Sequence, residues 1–206
     1  MVPLSDLRVV VGRTVLTSTQ GQKRRAAAID IHPRWDPVSF SFDVAVVHLA
    51  SPINGITPIM LVTPGVDALE RPGTLATVTG WGNTIQQPVG PGGGGVNYPD
   101  RMREAQVPIV SRPECQTVYA NVDAPIDATM LCARRTNLDT CQGDSGGPLF
   151  FKAVGGGFIQ AGITSWGFGC GATGFPGVSP PGSATGGGQL RPLGNGGVPV
   201  NAAQAA

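Results

Sequence analysis

The chain has 206 residues, a formal net charge of +1 and 13% charged residues. A length of this order fits one domain or two small ones, and the nearly balanced charge gives no electrostatic reason to expect a nucleic-acid partner. No apolar run is long enough to cross a bilayer, so we predict no membrane partner either. The first residues, MVPLSDLRVVVG, also lack the basic start and the sustained apolar stretch of a signal peptide.

Short β-rich runs alternate with Gly, Pro, Asn and Asp along the chain. In order, the runs are LRVVVG, AAAIDIH, VAVVHLA, TLATVTGW, AQVPIV, GGPLFF and FIQAGITSW. With 31 glycines and 19 prolines, this spacing predicts an antiparallel all-β fold. One short helix is predicted after Ser111, where Ser111 can cap, Glu114 can close a capping box and Cys115 lies on the helix. The insert QQPVGPGGGGVNYPD is predicted to be an exposed loop.

The strongest chemical signal is the segment DTCQGDSGGPL, which runs from Asp139 to Leu149. A nucleophilic serine needs a tight turn on which backbone N–H groups converge, and glycines let that turn form and let a substrate backbone approach. Ser145 is therefore the predicted nucleophile. Taken alone, the string leaves a glycine-rich structural turn open as an alternative.

Other motifs accompany this segment in a fixed order. Upstream stand SFDVAVVHL around Asp43, VTGWGNT and VPIVSRPECQTVY, and downstream stands GITSWGFGCGATGFPGV. Together they resemble the trypsin-like serine proteases of the chymotrypsin clan, over roughly Leu7 to Val178. The resemblance implies two antiparallel Greek-key β-barrels, the first of them incomplete. We expect a peptidase domain at 1–178, with a first-barrel remnant at 1–66 and a second barrel at 67–178, and a disordered Gly/Pro/Ala-rich tail at 179–206.

The resemblance assigns roles to individual residues. It implies that Ser145 is the nucleophile, that Asp43 orients the catalytic base, and that the N–H groups of Gly143 and Ser145 form the oxyanion hole. Asp139 matches the acid at the base of a pocket for Arg or Lys. The other implied substrate-binding residues are Ser165, Trp166, Gly167 and Gly177. The expected activity is that of a serine endopeptidase that cleaves polypeptides after Arg or Lys through an acyl-enzyme.

The four cysteines allow three pairings. The resemblance selects Cys115 with Cys132 and Cys141 with Cys170. Free thiols in a reducing compartment are the alternative, which the even count disfavours. We therefore expect a secreted, extracellular, monomeric protein whose partners are polypeptide substrates or protein protease inhibitors.

The histidine of the family triad has no match. The chain has only His32 and His48, neither in the family's AAHC context, and we expect both to be structural or surface residues. In the triad template the His precedes its Asp by about 45 residues. Met1 lies 42 residues before Asp43, so the expected histidine falls just upstream of Met1. We expect the chain as written to be inactive alone; the alternatives are a pseudoprotease that binds peptides or protein partners through the retained pocket, and a fragment that folds poorly.

Three smaller expectations concern Asp144, metal binding, and the basic run from Lys23 to Arg25. In the family, an activated N-terminus pairs with the acid before the nucleophile, here Asp144. Nothing in the sequence matches that segment, so Asp144 is expected to stay in solvent or to distort its loop. The loop GRTVLTSTQGQKRRA carries no acidic side chain, so we predict no metal there and no cofactor. The basic run from Lys23 to Arg25 is expected to be solvated on that same loop, although a processing site or an anion-binding patch would also fit it.

Overall fold

The computed structural model describes residues 3–62, 68–90, 93–172, 174–181 and 197–200. Strands dominate these residues, and the regular elements are one short 3₁₀-helix, eleven strands and one α-helix. In chain order they are the 3₁₀-helix Leu4–Asp6, β1 (Arg8–Val11), β2 (Gln22–Ile31), β3 (Ala45–Leu49), β4 (Met60–Leu61), β5 (Leu75–Gly80), β6 (Arg103–Val110), α1 (Arg112–Ala120), β7 (Leu131–Ala133), β8 (Pro148–Lys152), β9 (Phe158–Ile163), β10 (Gly177–Ser179) and β11 (Gly197–Val200).

The strands form two sheets. The smaller has the order β1-β2-β3-β11, and the larger has the order β10-β7-β6-β5-β8-β9-β4. The all-β prediction is confirmed, and within the described residues both sheets are open, which is compatible with an incomplete barrel. One pairing differs from the antiparallel expectation, because β4 runs parallel to β9 with Met60 opposite Ile159.

The core of the larger sheet is apolar, and the period-2 alternation of its strands places these side chains on one face of the sheet. Its buried members come from strands across the sheet: Val62, Ala76, Val78, Val107, Ile109, Leu131, Ala133, Leu149, Phe151 and Ala161. A second buried cluster lies under α1 and joins Cys115 and Tyr119 to Met130, Cys132 and Val178. The helix thereby anchors the segment that leads into β10.

The start of α1 agrees with the prediction in one respect and differs in another. The Ser111 hydroxyl accepts a hydrogen bond from the Glu114 N–H at 3.3 Å, which is an N-cap. The Glu114 carboxylate does not close the capping box. It accepts instead from Arg134 Nη2 at 3.0 Å, because that cation lies within reach on the segment after β7.

Two expectations about the ends of the smaller sheet are wrong in part. Lys23 to Arg25 lie within strand β2 and not on a loop. Of the predicted disordered tail, Gly197–Val200 form β11, which pairs antiparallel with β3 and places Val200 opposite Ala45. The free edge of β3 offers unpaired backbone groups, and such an edge can recruit a strand whose own sequence has no period. Residues 182–196 and 201–206 of that predicted tail lie outside the described residues.

Candidate functional site

The Ser145 loop makes a tight turn immediately before β8. Gly143 and Gly146 have φ values of 96° and 80°, a backbone region that favours glycine. The Gly146 N–H donates to the Thr164 carbonyl at 2.8 Å, and the Thr164 N–H donates to the Gly147 carbonyl at 2.8 Å. These reciprocal bonds hold the turn against the end of β9, so the position of Ser145 is set by the larger sheet.

The prediction for Asp144 is wrong, because its carboxylate neither stays in solvent nor distorts the loop. Its Oδ1 accepts from the Gly82 N–H at 2.7 Å, and its Oδ2 accepts from the Cys141 N–H at 2.9 Å. Side chains at Gly80 or Gly82 would collide with the carboxylate. Backbone donors therefore satisfy the carboxylate that the sequence left without a partner.

Asp43 lies just before β3 and is fully buried. The Ser165 hydroxyl donates a hydrogen bond to Asp43 Oδ2 at 2.5 Å across 122 residues of sequence. Ser165 follows β9, so this bond joins the smaller sheet to the larger one at the edge of the site. A charged group buried to this degree requires such donors.

A cavity of about 160 Å³ opens beside Ser145. The residues predicted for the substrate pocket all line it: Asp139, Ser165, Trp166, Gly167 and Gly177. Two backbone hydrogen bonds hold its walls together. The Trp166 N–H donates to the Val178 carbonyl at 3.2 Å, and the Val178 N–H donates to the Trp166 carbonyl at 2.8 Å. The structure therefore brings the predicted nucleophile and the predicted pocket residues to one place.

The two wall glycines leave the space that the cavity occupies. A Cβ atom at Gly177 would lie 2.8 Å from Asp139 Oδ1, and a Cβ at Gly167 would lie 3.7 Å from the Gly177 Cα. A side chain at Gly177 would therefore require the carboxylate at the base of the pocket to move.

Asp139 is mostly removed from water at the base of this cavity. Burial raises the pKa of Asp139 to about 7, and the nearby Asp144 carboxylate adds to the increase. Hydrogen bonds from Thr140, including its N–H at 2.8 Å, oppose part of that shift. A cation placed in the cavity would favour the ionised form of Asp139.

A second cavity, of about 400 Å³, lies behind the first. Asp139, Thr140 and Cys141 line both cavities, and Asp144 lines the larger one. Residues 139–141 therefore border both cavities. The backbone conformation of the segment from Asp139 to Asp144 depends on what holds Asp144 in place.

Comparison with known proteins agrees with this geometry. The family model described as Trypsin matches residues 2–184. This chain belongs to the trypsin family. It is 37% identical over 176 residues to the "Trypsin" of Saccharopolyspora erythraea, covering 84% of this chain and 70% of that protein. It is 36% identical over 186 residues to "Serine proteinase stubble" of Drosophila melanogaster, covering 85% and 22%. It is 34% identical over 179 residues to "Trypsin 5G1" of Aedes aegypti, covering 84% of this chain and 61% of that protein.

The chain thus spans less than two thirds of the length of the second and third of these trypsin relatives. By family it is a serine endopeptidase, a hydrolase of polypeptides. The disulfide prediction is confirmed, because Cys115 is bonded to Cys132 and Cys141 to Cys170. The second bond ties the nucleophile loop of this trypsin homologue to the segment that follows Trp166.

Both histidine side chains of this trypsin homologue have partners other than Ser145 and Asp43. His32 is buried and stacks on Phe42 with ring centroids 4.6 Å apart, and its Nδ1 accepts from the Arg34 N–H at 3.1 Å. Burial, with a smaller contribution from Arg34, lowers the pKa of His32. His48 Nε2 lies 2.8 Å from Asp30 Oδ2 on the smaller sheet.

Sequence reasoning missed several aromatic residues at the trypsin-type pocket. Tyr119 on α1 donates its hydroxyl to the Pro176 carbonyl, and its ring meets Trp166 edge-on at 4.9 Å. Burial raises the pKa of Tyr119, so it stays a donor at all ordinary pH values. Phe168 and Phe175 line the cavity itself. The spacing of Tyr119 four residues after Cys115, on one helix face, was the available signal.

Across the described ranges, no three His, Cys, Asp or Glu side chains are grouped so that they could hold a metal ion. No described helix has the length and hydropathy of a membrane span.

Proposed function

We propose that the cavity at Asp139 is the primary specificity pocket of a serine endopeptidase and that it takes an Arg or Lys side chain. The observation that carries this proposal is the convergence of Asp139, Gly167, Gly177 and Ser145 on one cavity of about 160 Å³. The carboxylate supplies the charge that a guanidinium or ammonium group requires, and the absence of side chains at the two glycines gives room for a long cationic side chain.

The chemistry follows from the groups around Ser145. Its hydroxyl oxygen attacks the carbonyl carbon of the substrate and loses its proton to a base, and the peptide C–N bond breaks as the amine leaves with that proton. The acyl group stays on Ser145 until water releases it as the carboxylic acid. Among the described residues, the N–H groups of Gly143 and Ser145 have no hydrogen-bond acceptor. Both are therefore available to stabilise the negative charge that develops on the carbonyl oxygen.

The proton of the Ser145 hydroxyl needs a base. The two histidines of this chain are committed elsewhere, His32 to a stack on Phe42 and His48 to Asp30 on the smaller sheet. We infer that, among the described residues, no histidine acts as this base. Without such a base we expect kcat to be lower by about a million-fold, the loss measured when one essential member of such a triad is removed.

A second function, favoured by the positions of the histidines, is peptide binding without turnover. The pocket would then hold an Arg or Lys side chain of a polypeptide or of a protein protease inhibitor. The two disulfides support an extracellular location for either function.

Two assays on the same protein separate these functions. The first follows the fluorescence of p-aminobenzamidine, an aromatic amidine. We expect this probe to bind to the unmodified protein and its binding to be lost in Asp139→Asn. The second follows hydrolysis of an arginyl ester, with Ser145→Ala as the matched blank. Binding without Ser145-dependent hydrolysis supports the pocket and the missing base. Hydrolysis that disappears in Ser145→Ala refutes the missing base, and unaltered amidine binding in Asp139→Asn refutes the pocket.

A further inference from the structure

The hairpin of β1 and β2 carries a concentrated positive charge. Five of the fourteen Lys and Arg residues, but only one of the thirteen Asp and Glu residues, Asp30, lie between Arg8 and Ile31. The hairpin therefore has a formal charge of +4, and the remainder of the chain has a formal charge of −3. The overall balance conceals a strongly asymmetric distribution, which bears on partners and not on the fold.

The strand register places three of these cations on one exposed face. Arg8 lies directly opposite Arg25, and Lys23 lies two residues from Arg25 on the same strand. All three side chains are exposed. Residues directly opposite are about 5 Å apart at Cβ, and residues two apart along a strand are about 7 Å apart. Arg24 points to the other face, where its Nε donates to the Pro52 carbonyl at 2.9 Å.

No acidic side chain neutralises this face within the described residues. Among the described residues the ion pairs are His48 with Asp30 and Arg134 with Glu114. Neither pair includes a Lys or Arg of the hairpin. Like charges directly opposite each other destabilise a strand pair. Arg8 and Arg25 therefore form an arrangement that a bound anion would stabilise.

The chemistry of the hairpin indicates the kind of anion. The guanidinium group binds oxyanions in a two-pronged geometry, and two of the three residues on the face are arginines. Between Leu7 and Ile29 there is no aromatic residue, so the stacking that single-stranded nucleic acids use is missing. No residue of the hairpin lines either cavity at the candidate site, so neither cavity gives the hairpin a pocket for a peptide side chain.

We propose that the face formed by Arg8, Lys23 and Arg25, here named the basic hairpin, binds a linear sulfated polysaccharide. A repeating chain of sulfate groups supplies several anions at once, and a flat strand face needs no pocket to receive it. The site is separate from the Asp139 pocket, so this proposal does not rest on the proposed function.

The test measures the binding of fluorescein-labelled heparin by fluorescence anisotropy, at several salt concentrations. The variant R8Q/K23Q/R25Q removes the basic hairpin, and R71Q/R135Q/K152Q is the matched control, because it removes the same charge at exposed positions outside the hairpin. We expect the first variant to bind at least tenfold more weakly in low salt. We also expect its plot of log Kd against log salt to be shallower by about two to three, by analogy with the loss of one phosphate contact per cation.

Each outcome decides the proposal. An equal loss in the control variant, or no loss in either variant, would overturn it. Polyglutamate or single-stranded DNA competing as well as heparin would overturn the choice of a sulfated glycan. Folding is checked by thermal denaturation, where removal of the opposed charges should leave the melting temperature equal or higher. The single change Arg25→Gln repeats the test with the smallest perturbation, and there we expect a two- to fivefold loss of affinity.

Discussion

The affinity of the Asp139 pocket for a cation should depend steeply on pH. Burial raises the pKa of Asp139 to about 7, and only the ionised carboxylate attracts an amidinium group. With such a pKa the ionised fraction is about 1% at pH 5 and about 90% at pH 8. The dissociation constant of benzamidine should therefore fall about 90-fold between pH 5 and pH 8, and most of the fall should come below pH 7.

The assay is a titration with p-aminobenzamidine at half-unit steps of pH, in a constant ionic strength. The matched control is His48→Asn, because His48 is an exposed histidine on the other sheet and its removal should leave the profile unchanged. An Asp139 carboxyl with its ordinary pKa would be almost fully ionised at pH 5. A dissociation constant that changes less than twofold over this range would refute the argument from burial.

Three further predictions concern the frame of the site. In urea denaturation, the double change Cys141→Ser with Cys170→Ser opens a link across 29 residues and should lower the free energy of unfolding by about 3–4 kcal/mol; an unchanged midpoint would contradict this. Gly177→Ala places a Cβ 2.8 Å from an oxygen of the Asp139 carboxylate. Overpacking of this kind costs about 1–3 kcal/mol, so benzamidine binding should weaken tenfold or more. The control Gly93→Ala adds its Cβ in open space and should leave benzamidine binding unchanged. Ser165→Ala removes the donor to a buried carboxylate and should cost about 1–3 kcal/mol of stability, with recovery in Ser165→Thr as the check.

The local parts of this site could be predicted from sequence because their physical requirements are local. The turn at Ser145 needs glycines at positive φ on both sides of the nucleophile, and the motif contains them at Gly143 and Gly146. The pairing of β11 with β3 could not be predicted, because Gly197–Val200 has no strand period and depends on a distant edge. The acceptor role of Asp144 toward Gly82 is equally nonlocal, since 62 residues separate them.

The two sheets contribute different parts of the function, and this separation has a consequence for mutagenesis. Every residue that lines the specificity cavity comes from the larger sheet and its loops, where two disulfides and the reciprocal bonds at Thr164 hold the geometry. The predicted orienting acid, Asp43, comes from the smaller sheet and reaches the site through Ser165. We therefore expect changes in the smaller sheet to reach the cavity only through the bond between Asp43 and Ser165. Because all the residues that line the cavity come from the larger sheet and its loops, we propose that cation binding there does not require a catalytic base.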